Sequence, residues 1–520
     1  MKTPINIETV TNVKLNARVV FFSTVHELAY EGPCRFGKLE DMKNETDMLM
    51  NKEVLHAQME SVRKEVPDFV ELLEPRHYKG YTDNWRVSAN ELKELCIGSE
   101  ETDVYIVAPS MASGDLVMEF ALMAKKPIIV IGNDIGIVQN TATLLARGVD
   151  ASTFMHWSDA RQKFRILRAK KILSETRVMC ISRFNGNRSS HCSCDSFVDL
   201  EKVTHTLGSK FRFVNFHEFV DQLQEIDPIQ NYTTPGRRQE NINEKDMAVI
   251  HTLADELISN ATKCEIERDE LIRSLKTYYL IQKLMEKNEC NALSAICPDG
   301  CSTCRLNKNR FTWCISHSLN EEQGIPSACE YDLAAVISKA ALLGIANKPT
   351  YMGNTNVLTD PSGRENSDYQ SHFSLSNIAE DRWEELSKMP NLIATGHSVA
   401  NRFMNGFDES PSPYALSPFA YSGFGATVRC DFSEDTGKTV TMCRFSPNCD
   451  KLLVSKGTIV EYYGENRWNC TFGAVIQVEN SQRFFESQIQ AGNHVPFVYG
   501  DYFDDMVALG KELGLEVLIG

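Results

Sequence analysis

The chain has 520 residues, of which 42% are hydrophobic and 24% are charged, and this balance excludes collagen, a coiled coil and wholesale disorder. At about 150 residues per domain, the length predicts two to four domains. The net charge of −16 argues against nucleic acid, because an acidic surface repels phosphate. The sequence has no apolar run of the ~18 residues that span a membrane, and its polar start does not resemble a signal peptide. We therefore expect a cytoplasmic protein that binds neither nucleic acid nor membranes.

Short apolar runs alternate with amphipathic stretches over the first 175 residues. Residues 18–22 (RVVFF), 103–108 (DVYIVA) and 127–132 (PIIVIG) predict buried strands. Residues 115–124 repeat their apolar positions with the 3.6-residue period of a helix that packs on a sheet. Strand, helix and strand in this order predict a parallel sheet, so residues 1–175 are interpreted as an α/β domain.

A second α/β pattern follows and extends to about residue 380. It contains a long charged block, 244–287, whose apolar residues keep a helical period. The other predicted elements are strands at 177–181, 211–214 and 291–297, a helix near 198–207, and a capped helix at 327–344 that ends in glycine.

From about residue 414 the period of the pattern changes from 3.6 to 2. The turns between the predicted strands contain Asp-Thr-Gly, Asn-Cys-Asp and Lys-Gly. This spacing predicts a small antiparallel barrel or sandwich. The predicted strands are 427–432, 439–445, 451–454, 458–462 and 474–478.

Cysteines form one dense cluster in the chain. Cys297, Cys301, Cys304 and Cys314 would suit a structural zinc ion by number, but their spacing does not form two C-x2-C knuckles. We favour the alternative, a cysteine-rich insertion whose first member ends a buried strand. The pair Cys192 and Cys194 beside His191 has the wrong spacing for a shared ion. The sequence also lacks a GxGxxG loop, a Walker loop and a G-x-S-x-G elbow.

Three other polar residues lie where elements begin or end. Glu330, in CEYD, is placed by the predicted helix on its first turn, where the helix dipole favours a carboxylate whatever its role. His397 lies in Gly-His-Ser, and His494 follows Gly-Asn ahead of an apolar run, so a loop presents its imidazole. Taken alone, each of the three is more readily explained by a structural role.

Several motifs in order resemble the L-fucose/L-arabinose isomerase superfamily, and the chain is more similar to its fucose isomerase-like branch than to either named enzyme. They are CNALSAIC, GIPSACEYDLAAVISKAAL, GHSVANRFM leading to SPFAYSGFG, VTMCRFSPNCDKLLVSKGTIV and QAGNHVPFVYGDY. The resemblance implies an α/β fold with two Rossmann-like parallel-sheet domains, 1–175 and 176–385, followed by a C-terminal antiparallel β-barrel domain, 386–520.

The resemblance also implies a divalent cation, usually Mn²⁺, between the second α/β domain and the barrel. Its ligands would be Glu330, His397 and His494, with Glu330 also acting as acid and base. His372, in QSHFSLSN, is an alternative to His397 and a candidate for binding substrate, as is Asn493.

The chain departs from the family pattern at the second catalytic carboxylate. About two dozen residues after Glu330 the expected acid is Asn354, which cannot abstract a proton but can hold a substrate hydroxyl. Asp360 is the nearest carboxylate downstream and is the candidate to replace it.

Isomerisation of an aldose to a ketose moves a proton between C1 and C2 through a cis-enediol, which requires a base near both carbons and a Lewis acid on the oxygens. The leading hypothesis is therefore a metal-dependent sugar isomerase acting on a monosaccharide. The alternatives are a sugar-binding or regulatory relative without the acid/base pair, supported by Asn354, and a zinc-stabilised interaction protein. The resemblance implies a homo-oligomer, a trimer or hexamer with active sites at subunit interfaces.

Overall fold

The computed structural model describes residues 4–25, 44–81, 89–108, 114–183, 193–225, 240–297, 301, 307–358, 378–464 and 469–520. These residues form two compact units. The N-terminal unit is Val13–Lys171, and the C-terminal unit combines Met1–Asn12 with Ile172–Gly520. The predicted division of the C-terminal unit near residue 385 stays a prediction.

The N-terminal unit is a parallel α/β sheet with helices on both faces. Its strands have the order β2-β1-β3-β4-β5, and all neighbours are parallel. Its elements are β1 (Leu15–Val25), α1 (Asn44–Glu65), β2 (Val70–Tyr81), α2 (Ala89–Leu95), β3 (Val104–Ala108), α3 (Gly114–Ala124), β4 (Ile128–Ile131), α4 (Ile135–Ala146), β5 (Ala151–Phe154) and α5 (Trp157–Glu175).

The continuous apolar run in β1 follows from burial on both faces of this sheet. Val20 and Phe22 lie in a buried cluster with α2, α3 and α4. Val19 and Phe21 point the other way, into a second cluster with α1 and α5. A parallel strand covered on both faces has no polar side, which explains why the sequence predicted it well.

The C-terminal unit begins with a second parallel sheet, of order β10-β9-β6-β7. The elements of this part are β6 (Arg177–Ser182), α6 (Leu200–Leu207), β7 (Lys210–Asn215), α7 (Phe216–Asp221), α8 (Glu244–Asn260), β8 (Lys263–Cys264), α9 (Arg268–Lys287), β9 (Ala292–Ala295), α10 (Cys314–Glu321), β10 (Ser327–Ala328) and α11 (Leu333–Ala346).

The rest of the C-terminal unit is dominated by an antiparallel sheet of order β11-β12-β17-β16-β15-β18, with β19 parallel to β16. A small third sheet has the order β14-β13-β8, and its strand β14 packs on helices α9 and α10. The elements are β11 (Asn354–Val357), α12 (Glu380–Leu386), β12 (Leu392–Gly396), β13 (Tyr414–Pro418), β14 (Ala426–Cys430), β15 (Thr439–Phe445), β16 (Lys451–Tyr463), β17 (Gly473–Val478), α13 (Ser481–Ala491), β18 (Phe497–Tyr499), α14 (Phe503–Glu512) and β19 (Glu516–Ile519).

The predicted closed β-barrel is not found among the described strands. The main sheet is open between its two edge strands, β11 and β18, which pair with β12 and β15 and not with each other. Isolated bridges nevertheless join the two edges, one between Tyr351 and Phe497 and one between Asn354 and His494. The two sheet edges therefore meet at His494.

Two local predictions were wrong, and the first of them concerns Glu330. The predicted helix at 327–344 begins at Leu333, so Glu330 lies in the turn before the helix, and Asp332 is the N-cap, whose carboxylate accepts from the backbone N of Ala335. The predicted Lys-Gly turn lies inside one continuous strand, β16. A Cβ at Gly457 would lie 2.6 Å from the carbonyl oxygen of Gln477, so a glycine is needed here for the close approach of β17.

Helix α11 packs against both the parallel sheet and the main antiparallel sheet of the C-terminal unit. It is buried from Leu333 to Ile345 and packs on β10, β15 and β18. Its one buried cation, Lys339, donates to Glu321 at 2.8 Å and to the carbonyl of Ser327 at 2.7 Å. None of the helices in the described ranges combines the length and the apolar character that crossing a membrane requires.

Candidate metal centre

Three predicted ligands converge in the C-terminal unit. Glu330, His397 and His494 each offer a ligand atom within 4.8 Å of the other two. Nε2 of His397 lies 3.2 Å from Oε1 of Glu330, and Nε2 of His494 lies 3.6 Å from Oε2. The two carboxylate oxygens thus face one imidazole each.

Each ligand lies where a regular element begins or ends. Glu330 and Tyr331 occupy the turn between β10 and α11, with φ of 61° and 62°. Two successive non-glycine residues in the left-handed region are strained, and the backbone N of Tyr331 fixes them by donating to the carbonyl of Ala295 at 3.0 Å. His397 directly follows β12, and its carbonyl accepts from the hydroxyl of Tyr351 at 2.6 Å.

A buried acid orients His494. Nδ1 of His494 lies 2.9 Å from Oδ2 of Asp332, and neither side chain has more than 2% of its surface exposed. Asp332 is in turn held by Arg444, whose Nη1 donates to the same oxygen at 2.8 Å. A carboxylate on the remote nitrogen of a histidine fixes its tautomer and is the usual support of a metal-binding imidazole.

Arg444 also fixes the loop that carries His494. Its guanidinium donates to the carbonyls of Ala491 and His494, both at 2.8 Å, and pairs with Asp195 at 3.2 Å. The glycine of the Gly-Asn-His motif is required here: at Gly492, with φ of 122°, a Cβ would lie 2.4 Å from Oδ2 of Asp195 and 2.5 Å from Nε of Arg444.

The three residues fit a divalent cation. Because Nδ1 of His494 donates to Asp332, its Nε2 keeps the lone pair, and this buried nitrogen has no hydrogen-bond partner. One carboxylate and two imidazoles suit divalent first-row metals, Mn²⁺ among them. The group can therefore hold a metal ion, and the donor set by itself does not single out one metal.

The charges of the group depend on one another. The pKa of Glu330 falls to about 2: burial alone would raise it, but the hydrogen bond to His397 and the charge of His494 outweigh burial. The pKa of Asp332 lies well below its usual range, since Arg444 and His494 outweigh the effect of burial. The pKa of His494 is raised, because the hydrogen bond to Asp332 and the charge of Glu330 outweigh burial, which alone would lower it.

We expect cation binding to compete with a proton on His494. Below the raised pKa of His494 the imidazolium must lose its proton, so Mn²⁺ affinity should rise about tenfold per pH unit. In the metal-free protein, the stability of the fold depends on pH in the opposite direction. Because the pKa of His494 is raised in the folded state, its contribution to stability is complete below about pH 6.5 and is lost as pH rises through the folded pKa. Calorimetric titration with Mn²⁺ from about pH 6 to about pH 8, in two buffers of different ionisation enthalpy, measures the released proton.

The control for this titration is the exposed histidine of α6. His205→Gln should leave the proton release unchanged, whereas His494→Gln should abolish it together with most of the affinity. Equal proton release by His494→Gln and wild type would contradict the assignment.

The predicted substrate-binding asparagines lie beside the triad. Nδ2 of Asn493 donates to Oδ1 of Asn354 at 2.5 Å, and Asn354 forms the isolated bridge with His494. The position of the expected second carboxylate is thus an amide pair. Asp360 and His372 lie outside the described residues, so their predicted roles stay predictions.

The predicted zinc ligands do not form a metal-binding group within the described ranges. Cys297, Cys301 and Cys314 are free, buried thiols, and no three cysteines of the described residues bring their sulfurs within 4.8 Å of one another. Cys304, like Cys192, lies outside the described residues, and Cys194 is exposed.

Sequence reasoning missed the residues that support the triad. Asp332 carried a signal, because an aspartate directly before an apolar helical run is a good N-cap. Arg444 and Asp195 carried none: Arg444 occupies a strand, and its partner Asp332 lies 112 residues away. Neither a protein-family model nor a curated protein matches this chain.

Proposed function

We propose that the protein is a divalent-metal-dependent isomerase that interconverts an aldose and a ketose, as the resemblance to the L-fucose/L-arabinose isomerase superfamily implies. The observation that carries the proposal is the convergence of Glu330, His397 and His494, which belong to three separate sequence motifs. A cation held there would act as a Lewis acid on the two substrate oxygens and lower the barrier to removing the C–H proton.

The chain's own residues then have distinct tasks. Glu330 is 17% exposed, whereas Asp332 is completely buried, so Glu330 is the carboxylate of the pair that can reach a sugar. Its lowered pKa keeps the carboxylate ionised, and an ionised carboxylate at this place would be the group that accepts a proton from one carbon and returns it to the other. Asp332 and Arg444 keep His494 in the tautomer that binds a cation.

The test is turnover of a panel of monosaccharides with Mn²⁺, monitored by NMR as exchange of the C2 proton with deuterated water. We expect at least one aldose to exchange and to form its ketose, and chelation to stop both. Absence of exchange for every sugar would contradict the proposal.

One observation favours a second candidate, a sugar-binding or regulatory protein. The amide pair of Asn354 and Asn493 occupies the place of the second family carboxylate, and an amide cannot transfer protons. A sugar that raises the melting temperature without any exchange at C2 would support this alternative.

Asn354→Asp separates the two candidates. The aspartate can still accept from Nδ2 of Asn493 and adds a negative charge beside His494, so we expect about tenfold tighter Mn²⁺ binding, equivalent to about 1.4 kcal/mol. If the chain is an isomerase the variant should also exchange C2 protons at least as fast as wild type. The matched control is Asn480→Asp at the N-cap of α13, which should change neither quantity. Unchanged affinity in Asn354→Asp would show that residue 354 does not face the cation.

A further inference from the structure

The outer face of helix α4 in the N-terminal unit is apolar and exposed. Ile135, Val138 and Leu145 are 70%, 61% and 56% exposed, and Ala142 between them is exposed as well. These four residues are called the α4 stripe. The helix contains no charged residue, although the chain as a whole has a net charge of −16. Neither the cation triad nor the proposed isomerisation involves this helix.

The opposite face of α4 already packs on the parallel sheet. Ile137 and Leu144 are buried in the cluster that also contains Val20 and Phe22. At 100° per residue, the members of the α4 stripe lie within about 80° of one another and roughly opposite this buried face. A helix that is apolar on every side is normally covered on every side. Within the described residues of the N-terminal unit, the α4 stripe has no such cover.

The spacing of the α4 stripe is the same when it is read in either direction. Its members are separated by three, four and three positions. Two copies of the helix can therefore lie antiparallel about a two-fold axis that passes level with Asn140. Ile135 is then level with Leu145 of the second copy, and the two inner members, Val138 and Ala142, are level in the same way. An interface between two identical chains requires this kind of self-complementary surface.

The two ends of the helix carry opposite charges. Asp134 is the N-cap and Arg147 is the C-cap, and both are exposed. An antiparallel pair brings the acidic end of each helix near the basic end of the other, and the two helix dipoles also attract each other in this orientation. Like charges on other surfaces of so acidic a chain repel a second copy, whereas the charge-free α4 stripe does not.

We propose that α4 is a contact surface between two copies of this chain, which pack their α4 stripes antiparallel about a two-fold axis. The neighbouring helix α3 packs beside α4 and adds Leu122, which is 45% exposed, to the apolar surface of this side. Burial of the stripes supplies the attraction, and the charges at the helix ends favour the antiparallel direction. This inference depends neither on the cation site nor on sugar isomerisation.

The experiment measures the mass of the full-length chain in solution by analytical ultracentrifugation. One chain has a mass of 58.7 kDa, and we expect the wild-type particle to contain an even number of chains. Val138→Glu should halve the mass, because the two-fold axis places the new charge in the interface twice. Glutamate is a better helix former than valine, so the helix itself should persist. Since one helix pair buries less than the ~1,600 Å² of a standard interface, the concentration is varied from about 1 to about 100 µM.

A second variant tests the direction of the helices. Arg147→Glu places like charges at the helix ends and should weaken the association at least about tenfold. Adding Asp134→Asn to this variant removes the repulsion and keeps an N-cap side chain, so it should restore most of the affinity. Halved mass in Val138→Glu without an effect of Arg147→Glu would overturn the antiparallel arrangement.

The matched control is Ile489→Glu on α13, which places the same charge on another apolar side chain that is 66% exposed. It should leave the mass unchanged, and circular dichroism checks that each variant keeps its helix content. A wild-type particle of one or three chains, or an unchanged mass in Val138→Glu, would overturn the proposal, and a different partner would then cover the α4 stripe. If Val138→Glu does not fold, an unchanged association in Arg147→Glu would overturn the proposal in its place.

Discussion

Glu330→Gln should reduce the exchange of C2 protons by at least about 10²-fold and by up to about 10⁴-fold. The amide keeps the size of the side chain and an acceptor for His397, but it has no charge to hold a cation and cannot accept a proton. Mn²⁺ affinity should fall at the same time, because one of three ligands is replaced by a neutral donor. NMR exchange and calorimetric titration on the same preparation measure the two losses.

The control is Glu434→Gln, an exposed glutamate of the same unit. It removes the same charge away from the triad and should leave exchange and affinity at wild-type values. Wild-type activity in Glu330→Gln would remove Glu330 from the chemistry. If Glu330→Gln loses exchange but keeps full Mn²⁺ affinity, Glu330 acts in proton transfer and not as a cation ligand.

Arg444→Met should lower the free energy of unfolding by about 3–5 kcal/mol, the usual cost of removing one partner of a buried ion pair. The side chains of Arg444 and Asp332 are completely buried, so the variant leaves the Asp332 carboxylate without its cation. It also removes the donors that fix the loop at Ala491 and His494. Urea denaturation followed by the fluorescence of tryptophan, including the buried Trp313, measures the loss.

The comparison variant is Arg483→Met, whose ion pair with Glu479 lies on the surface of α13, with side chains 41% and 82% exposed. A surface pair contributes at most about 1 kcal/mol, so this variant should be nearly neutral. Equal losses in both variants would contradict a special role for the Asp332, His494 and Arg444 group.

The Arg444 pair should also make stability sensitive to acid. A depressed carboxyl pKa contributes stability that is present above the unfolded value, near 3.8, and is lost as pH falls through the folded value. The pH profile of Arg444→Met should therefore be flatter than that of wild type at the acidic end.

Local sequence patterns predicted the central strands because these strands are covered on both faces. The apolar run of β1 could be recognised without knowing its partners, since Val19 and Val20 are buried on opposite sides of the sheet. The same reasoning missed β2 and β5: β2 mixes charged and apolar residues, and β5 is only partly buried. It also started the helix at residue 327, five residues before the N-cap Asp332, because the apolar period does not show that Glu330 and Tyr331 adopt positive φ.

The candidate ligands were predicted one by one, by motif and resemblance, and each had a plausible structural explanation. Only the tertiary structure brings Glu330 to His397, 67 residues away, and Asp332 to His494, 162 residues away. It also shows Asn354 paired with Asn493. A motif constrains a few neighbouring residues, whereas these contacts depend on how sheets and helices pack.

The sequence by itself determined the globular composition, the alternation of strands and helices, and the change to a period of two after residue 414, because burial leaves a periodic pattern along each element. The tertiary structure alone decided that the antiparallel sheet remains open in the described strands, that Arg444 and Asp332 support His494, and that Asn354 pairs with Asn493. The physical reason is that a buried ion pair depends on two distant segments being desolvated together, and neither segment alone carries a pattern that specifies the other.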